Sequence, residues 1–321
     1  MPGKVTSYDQ ALLQIGIQSA RGTPAVLTAS SVLLVGSLEA SIKQMDEEQM
    51  DLASDDPFYK PTSRSNFRTS FKFDVPWIYS GTAGTASPLE PVFLCCGFDS
   101  TKTAGSKVVY TRASLSGVDL ATMVMQGDID GATADEYKTT DAIGEIGCTW
   151  EAGKKPRFNV SNLTGNYILP ANAALVVPNW GVQKTNLGEE WEGTVAYMGK
   201  FVVGGVDKAL CLTSMSCDNL SGMTVKRTPF AGCTGGTVPS NVQPKFTVTY
   251  RKPDYALEFN PWSLDKVGVE FGCGSVAGRK IRISCPSLEV VGETKRTKGP
   301  DGNTFITQTL QALTAITITE E

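Results

Sequence analysis

Asn66-Phe67-Arg68-Thr69-Ser70-Phe71-Lys72-Phe73-Asp74-Val75 decides the fold class of this chain. Phe67, Thr69, Phe71, Phe73 and Val75 fall on one side, and Arg68, Ser70, Lys72 and Asp74 on the other. A period of two marks a half-buried antiparallel strand. Working outward, similar runs predict strands over 32–42, 107–112, 120–126, 145–151 and 157–164, then over 194–203, 209–217, 245–251, 279–284, 288–294 and 303–318. Residues 8–17 suit a strand or a short helix, broken off by Arg21-Gly22-Thr23-Pro24. Two short helices interrupt the strands. One runs from Pro88 to Cys96 with Gly97 at its C-terminus, Phe93 and Leu94 plugging the sheet; the other carries Leu264, Val267 and Phe271 on one face and ends at Gly272 and Gly274. Residues from about 219 to 244 read as a Gly/Thr/Pro-rich loop.

The two halves of the chain echo each other. Leu33 to Ser41 matches Cys211 to Asp218 in pattern; Phe67, Phe71 and Phe73 have counterparts in Phe246, Val248 and Tyr250; Phe158 with Leu163 recurs as Phe305 with Leu310. The order strand, long loop, strand, helix, strands occurs twice, which predicts two tandem β domains, 1–178 and 179–321, with a linker bracketed by Pro170 and Pro178. A length of 321 residues also favours two domains over one core.

Composition excludes several function classes. Charged residues make up 19% of the chain, against roughly 25% in an average soluble domain, so much of the surface is expected to face other chains. The net charge of −4 gives no general attraction to nucleic acid. No apolar run approaches the roughly 18 residues of a membrane span, and Met1-Pro2-Gly3-Lys4 leads into a polar stretch, so synthesis in the cytoplasm is expected. The eight cysteines include no C-x-x-C pair and read as buried free thiols. Histidine is absent, which removes the commonest general base and metal ligand. Gly153-Lys154-Lys155 lacks the rest of a P-loop, and Asp128-Ile129-Asp130-Gly131 places its glycine too early for a calcium loop, reading instead as a turn between strands. No catalytic residue, cofactor site or metal site is predicted.

Charge is concentrated in three places. Asp46, Glu47, Glu48, Asp51, Asp55 and Asp56 crowd a long acidic loop over about 43–65, expected to be exposed or to reach a partner. Lys154, Lys155 and Arg157 form one basic turn, and Lys295, Arg296 and Lys298 another. Residues 1–178 carry 14 Lys and Arg against 19 Asp and Glu, a net −5, whereas 179–321 carry 15 against 14, a net +1.

Arg21-Gly22-Thr23-Pro24, Ser80-Gly81-Thr82-Ala83-Gly84-Thr85-Ala86, Cys95-Cys96-Gly97-Phe98 and Val108-Val109-Tyr110-Thr111 resemble the tail tube (major tail) protein of long-tailed bacteriophages. Arg251-Lys252-Pro253 and the run from Ile283 to Leu313 extend the resemblance into the second half. It implies a virion structural protein, not an enzyme: a mainly β, barrel- or sandwich-forming subunit whose rings stack into the conduit for genome ejection. Implied partners are further copies of the chain, the tape measure, terminator and distal tail proteins, and DNA passing without specific binding. The family's rings contain six tube domains, so a duplicated chain should close as a trimer, with a hexamer as the alternative. The family also uses the loop at the acidic position to reach the neighbouring ring, where Lys154–Arg157 or Lys295–Lys298 would receive it.

Two other classes share parts of this pattern. A β-sandwich adhesin or carbohydrate-binding surface protein would show an exposed aromatic platform, whereas Trp77, Trp180, Trp191 and Trp262 read as core or interface residues. A metal-dependent hydrolase would need carboxylates converging on a pocket.

Overall fold

The alternation of residues 66–75 is realised as the middle of a long strand with antiparallel neighbours on both sides. The computed structural model describes residues 11–49, 62–130, 132–178, 181–187, 200–203, 206–207, 212–230, 233–251, 267–274, 276–299 and 302–321. The first half contains β1 (Leu12–Ile17), β2 (Val32–Leu33), β3 (Leu38–Gln49), β4 (Thr62–Pro76), α1 (Glu90–Cys95), β5 (Phe98–Thr103), β6 (Lys107–Arg112), β7 (Ala121–Asp130), β8 (Thr133–Glu151), β9 (Arg157–Tyr167) and β10 (Ala171–Ala174). The second contains α2 (Gly181–Thr185), β11 (Lys200–Val203), β12 (Val206–Asp207), β13 (Leu212–Cys217), β14 (Met223–Phe230), β15 (Cys233–Asn241), β16 (Lys245–Arg251), β17 (Val267–Cys273), β18 (Ile281–Lys298), β19 (Thr304–Ala312) and β20 (Thr317–Glu320). The protein is mainly β, and antiparallel pairing joins 18 strands into one network, with β14 and β15 forming a separate hairpin.

Pairing in the first half runs β1-β7-β8-β9-β4-β3. In the second half it runs β11-β17-β18-β19-β16-β13. Counting only the six strands of each run in chain order, and leaving out β2, β5, β6, β12, β14 and β15, both read first, fourth, fifth, sixth, third, second. A seventh strand behaves alike in both: β10 continues past β9 along β8, and β20 continues past β19 along β18. Register sets Phe71 opposite Leu163 in one half and Phe246 opposite Leu310 in the other, which aligns Phe246 with Phe71 rather than with Phe67.

Among the described residues two named strand pairs join the halves, alongside an isolated bridge between Ile78 and Leu187. β13 lies against the last residues of β8, Ser214 facing Glu151 and Cys217 facing Cys148, while β20 pairs with β6. The first of these needs a glycine. A Cβ on Gly147 would overlap the Cys217 carbonyl oxygen and stand 2.9 Å from that of Asp218. Gln183 of α2 reinforces the connection by accepting from the Leu34 N–H (2.8 Å) and donating to the Val32 carbonyl (2.5 Å).

One apolar core draws on both halves, including Phe71, Phe73, Phe93 and Phe158 from the first and Phe246, Phe271 and Ile283 from the second. Phe93 carries α1 into it, with ring centroids 4.7 Å from Tyr110 and 5.1 Å from Phe158. α1 stops as expected at Gly97, whose φ of +92° suits glycine at a helix terminus. Each fully buried aromatic stabilises by about 1.5–3 kcal/mol.

Several local expectations are corrected. Residues 43–49 and 62–65 are not loop: they are arms of the β3–β4 hairpin, where Glu47 faces Arg64 and Glu48 faces Ser63. Phe67, on the arm, is 39% exposed, so the alternation persists there without burial. Val267–Cys273 is a strand rather than a helix, because Val269, Phe271 and Cys273 pair along β18. The region of 219–244 holds the β14–β15 hairpin, and Ala171–Ala174 of the expected linker is strand β10. The two strands expected over 279–294 are one, with the register shift between Val267 and Val269 of β17 accommodating Pro286. The long strand of 303–318 is divided into β19 and β20.

Candidate assembly surfaces

The acidic cluster belongs to the β3–β4 hairpin. Asp46 is exposed on β3 and accepts from Arg68 of β4 at 2.9 Å, which ties it to its own hairpin. Glu47 and Glu48 continue the same strand, whereas Asp51, Asp55 and Asp56 lie outside the described residues. A partly exposed pair of opposite charges such as Asp46 and Arg68 contributes about 0.2–1 kcal/mol.

Lys154, Lys155 and Arg157 surround the tight turn between β8 and β9. Lys154 donates to Glu151 at 2.8 Å, and Arg157 lies 3.8 Å from Asp74. These side chains border an open surface recess shared with Thr149 and Gly153. Lys295, Arg296 and Lys298 are not on a turn. They occupy the last residues of β18, facing Thr307, Ile306 and Thr304 of β19, and the connection follows at 299–303. All three are exposed.

Two strand margins stand out once the pairings are laid side by side. Among the described residues β3 pairs with β4 alone, and β18 beyond Leu288 pairs with β19 alone. Leu38, Ala40 and Ile42 of β3 are only partly buried, while Glu39, Ser41 and Lys43 are exposed. In β13, which has neighbours on both margins, Leu212, Met215 and Cys217 are buried. The sequence offers no separate signal for a margin, because the alternation of β3 is the same whether one neighbour is present or two.

Glu320, near the C-terminal end of β20, is a buried group that sequence reading missed. It accepts from the Ser87 hydroxyl at 2.5 Å, the Ser87 N–H at 2.9 Å and the Tyr110 hydroxyl at 3.3 Å. Burial pushes its carboxyl up to about 7 against the opposing pull of the Ser87 and Tyr110 hydrogen bonds, and Glu90 adds to the rise. Burial and the nearby carboxylates Glu320 and Glu90 likewise raise the Tyr110 hydroxyl. The carboxyl fastens the last strand of the second half onto the loop before α1 and onto β6. No signal in the local sequence of Thr317–Glu320 distinguishes this glutamate from an exposed one.

Cys95, Cys96, Cys148, Cys217, Cys273 and Cys285 are buried free thiols. Burial pushes Cys217 up to about 12 and Cys148 well above the ordinary value, so neither offers a ready thiolate. Trp77 is buried and stacks on Phe158 at 5.3 Å; Trp180, Trp191 and Trp262 lie outside the described residues. Among the described residues no three of His, Cys, Asp and Glu converge as metal ligands, and no helix is long and apolar enough to cross a membrane. No protein-family model matches this chain, and no curated protein matches it.

Proposed function

We propose that this protein is a structural component of a bacteriophage virion, the ring-forming subunit of a tail tube through which the genome passes into the host. The observation that carries this reading is the strand order first, fourth, fifth, sixth, third, second, with its trailing seventh strand, present once in each half. Two units of one topology joined through β8 and β13 suit a chain holding two tube domains, 1–178 and 179–321. Such a chain closes as a ring of three, a pseudo-hexamer, and the shared sheet removes the open margins that would otherwise invite uncontrolled pairing.

In this reading the β3–β4 hairpin extends its acidic arm toward the next ring, where Lys154, Lys155 and Arg157 or Lys295, Arg296 and Lys298 receive it. The lumen is lined by neutral and acidic side chains, because Lys and Arg clusters would hold a sliding polyanion through phosphate contacts. Tight, salt-sensitive DNA retention by assembled tubes would contradict that lining. The protein acts without catalysis or cofactor and reaches the virion tail from the host cytoplasm, with tape measure, terminator and distal tail proteins as neighbours. Negative-stain microscopy of the concentrated purified protein tests the reading. Hollow rings or tubes are expected, and monomer-sized particles at every concentration would count against it.

A further inference from the structure

The junction inside the chain shows where the next chain attaches. Cys217 of β13 faces Phe246 as Ala40 of β3 faces Phe71, so Met215 corresponds to Leu38 and Ser216 to Glu39. Cys148 of β8 faces Phe158 as Thr297 of β18 faces Phe305, so Thr149 corresponds to Lys298. Within the chain, Ser216 faces Thr149 across the junction. We infer that β3 of one copy pairs antiparallel with the end of β18 of the next copy, placing Glu39 opposite Lys298 and Ala40 opposite Thr297.

Three observations support a second copy as the occupant of these margins. Each margin is the counterpart of one already paired inside the chain, so the two are complementary head to tail and continue the existing sheet. Their charges also match: Glu39, which accepts from Lys72 of β4 at 3.2 Å, is 70% exposed and leaves room for a second cation, and Lys298 is exposed on β18. Finally, the partly buried Leu38 and Ala40 occupy the positions of Met215 and Cys217, which a second neighbouring strand leaves 1% and 2% exposed. The margins end the run β3-β4-β9-β8-β13-β16-β19-β18, and among the described residues β3 and β18 do not pair with each other, so both margins stay open within one chain. A heterologous contact of this kind generates a ring when its rotation closes. It leaves Lys154, Lys155 and Arg157 available for stacking.

The inference rests on the tube reading for its ring but makes a separate prediction about register. Glu39→Cys and Lys298→Cys are combined in one chain, and equal amounts of isotopically labelled and unlabelled protein are mixed, oxidised and mapped by mass spectrometry. The expected product joins the two introduced thiols between labelled and unlabelled chains, in a ladder ending at a closed oligomer, and neither single variant gives it. Rings without that bond would overturn the strand assignment and leave the tube reading standing. The bond in open strings without rings would support the assignment and overturn the tube reading. Neither rings nor bond in concentrated protein would overturn both.

Discussion

Replacing Glu320 by Gln should change how stability depends on pH. In the folded chain burial raises this carboxyl to about 7, against an ordinary value of 4.5. The folded state therefore binds the proton more tightly than the unfolded one. Stability from this site is complete below 4.5 and is lost as pH rises through 7. At about 1.36 kcal/mol for each tenfold change in proton affinity, the full difference is about 3 kcal/mol, roughly three-quarters of it between pH 5 and 8. Glutamine has no proton to lose, and the hydroxyls of Ser87 and Tyr110 can turn to meet its amide. Urea denaturation of wild type and Glu320→Gln at pH 5, 6, 7 and 8 should show the variant gaining about 2–3 kcal/mol relative to wild type across the series. Parallel behaviour at all four pH values would refute the reasoning.

Gly147→Ala should loosen the connection between halves by about 1–3 kcal/mol, because the Cβ displaces β13 at Cys217; faster amide exchange over Ser214–Cys217 is the expected readout. Phe93→Ala should cost about 3–5 kcal/mol in denaturant unfolding, since the ring is fully buried among Phe98, Tyr110 and Phe158. Changing Asp46, Glu47, Glu48 and Asp51 to Asn or Gln should slow tube assembly and flatten its dependence on ionic strength. Exposed pairs contribute only about 0.2–1 kcal/mol each, so final tube stability should change little; light scattering that follows the wild-type course at each salt concentration would remove the hairpin from the stacking contact.

How much the sequence disclosed depended on burial. β4, β6 and β16 were readable because one face of each enters the core, which imposes the alternation of Phe71, Phe73 and Val75 or of Phe246, Val248 and Tyr250. Residues 43–49 and 62–66 are almost wholly polar, so their cross-strand pairing leaves no apolar period to read. Val267 and Phe271 fit a helical spacing and a strand spacing equally; only pairing with β18 distinguishes them. Cys233-Thr234-Gly235-Gly236-Thr237-Val238-Pro239 has the composition of a loop, yet it pairs as one side of a hairpin outside the main network, where proline is tolerated. The candidate surfaces were legible as charge but not as geometry. Clusters at 46–56, 154–157 and 295–298 are visible in the sequence, whereas the margins of β3 and β18 emerge only from what each strand lacks beside it among the described residues.

A symmetry-resolved electron cryomicroscopy reconstruction of the assembled protein tests the central claim most directly. The account predicts a hollow ring of three chains in which residues 1–178 and 179–321 alternate around the axis as six units of one strand order. Six chains per ring, with residues 179–321 decorating the outside, would contradict it.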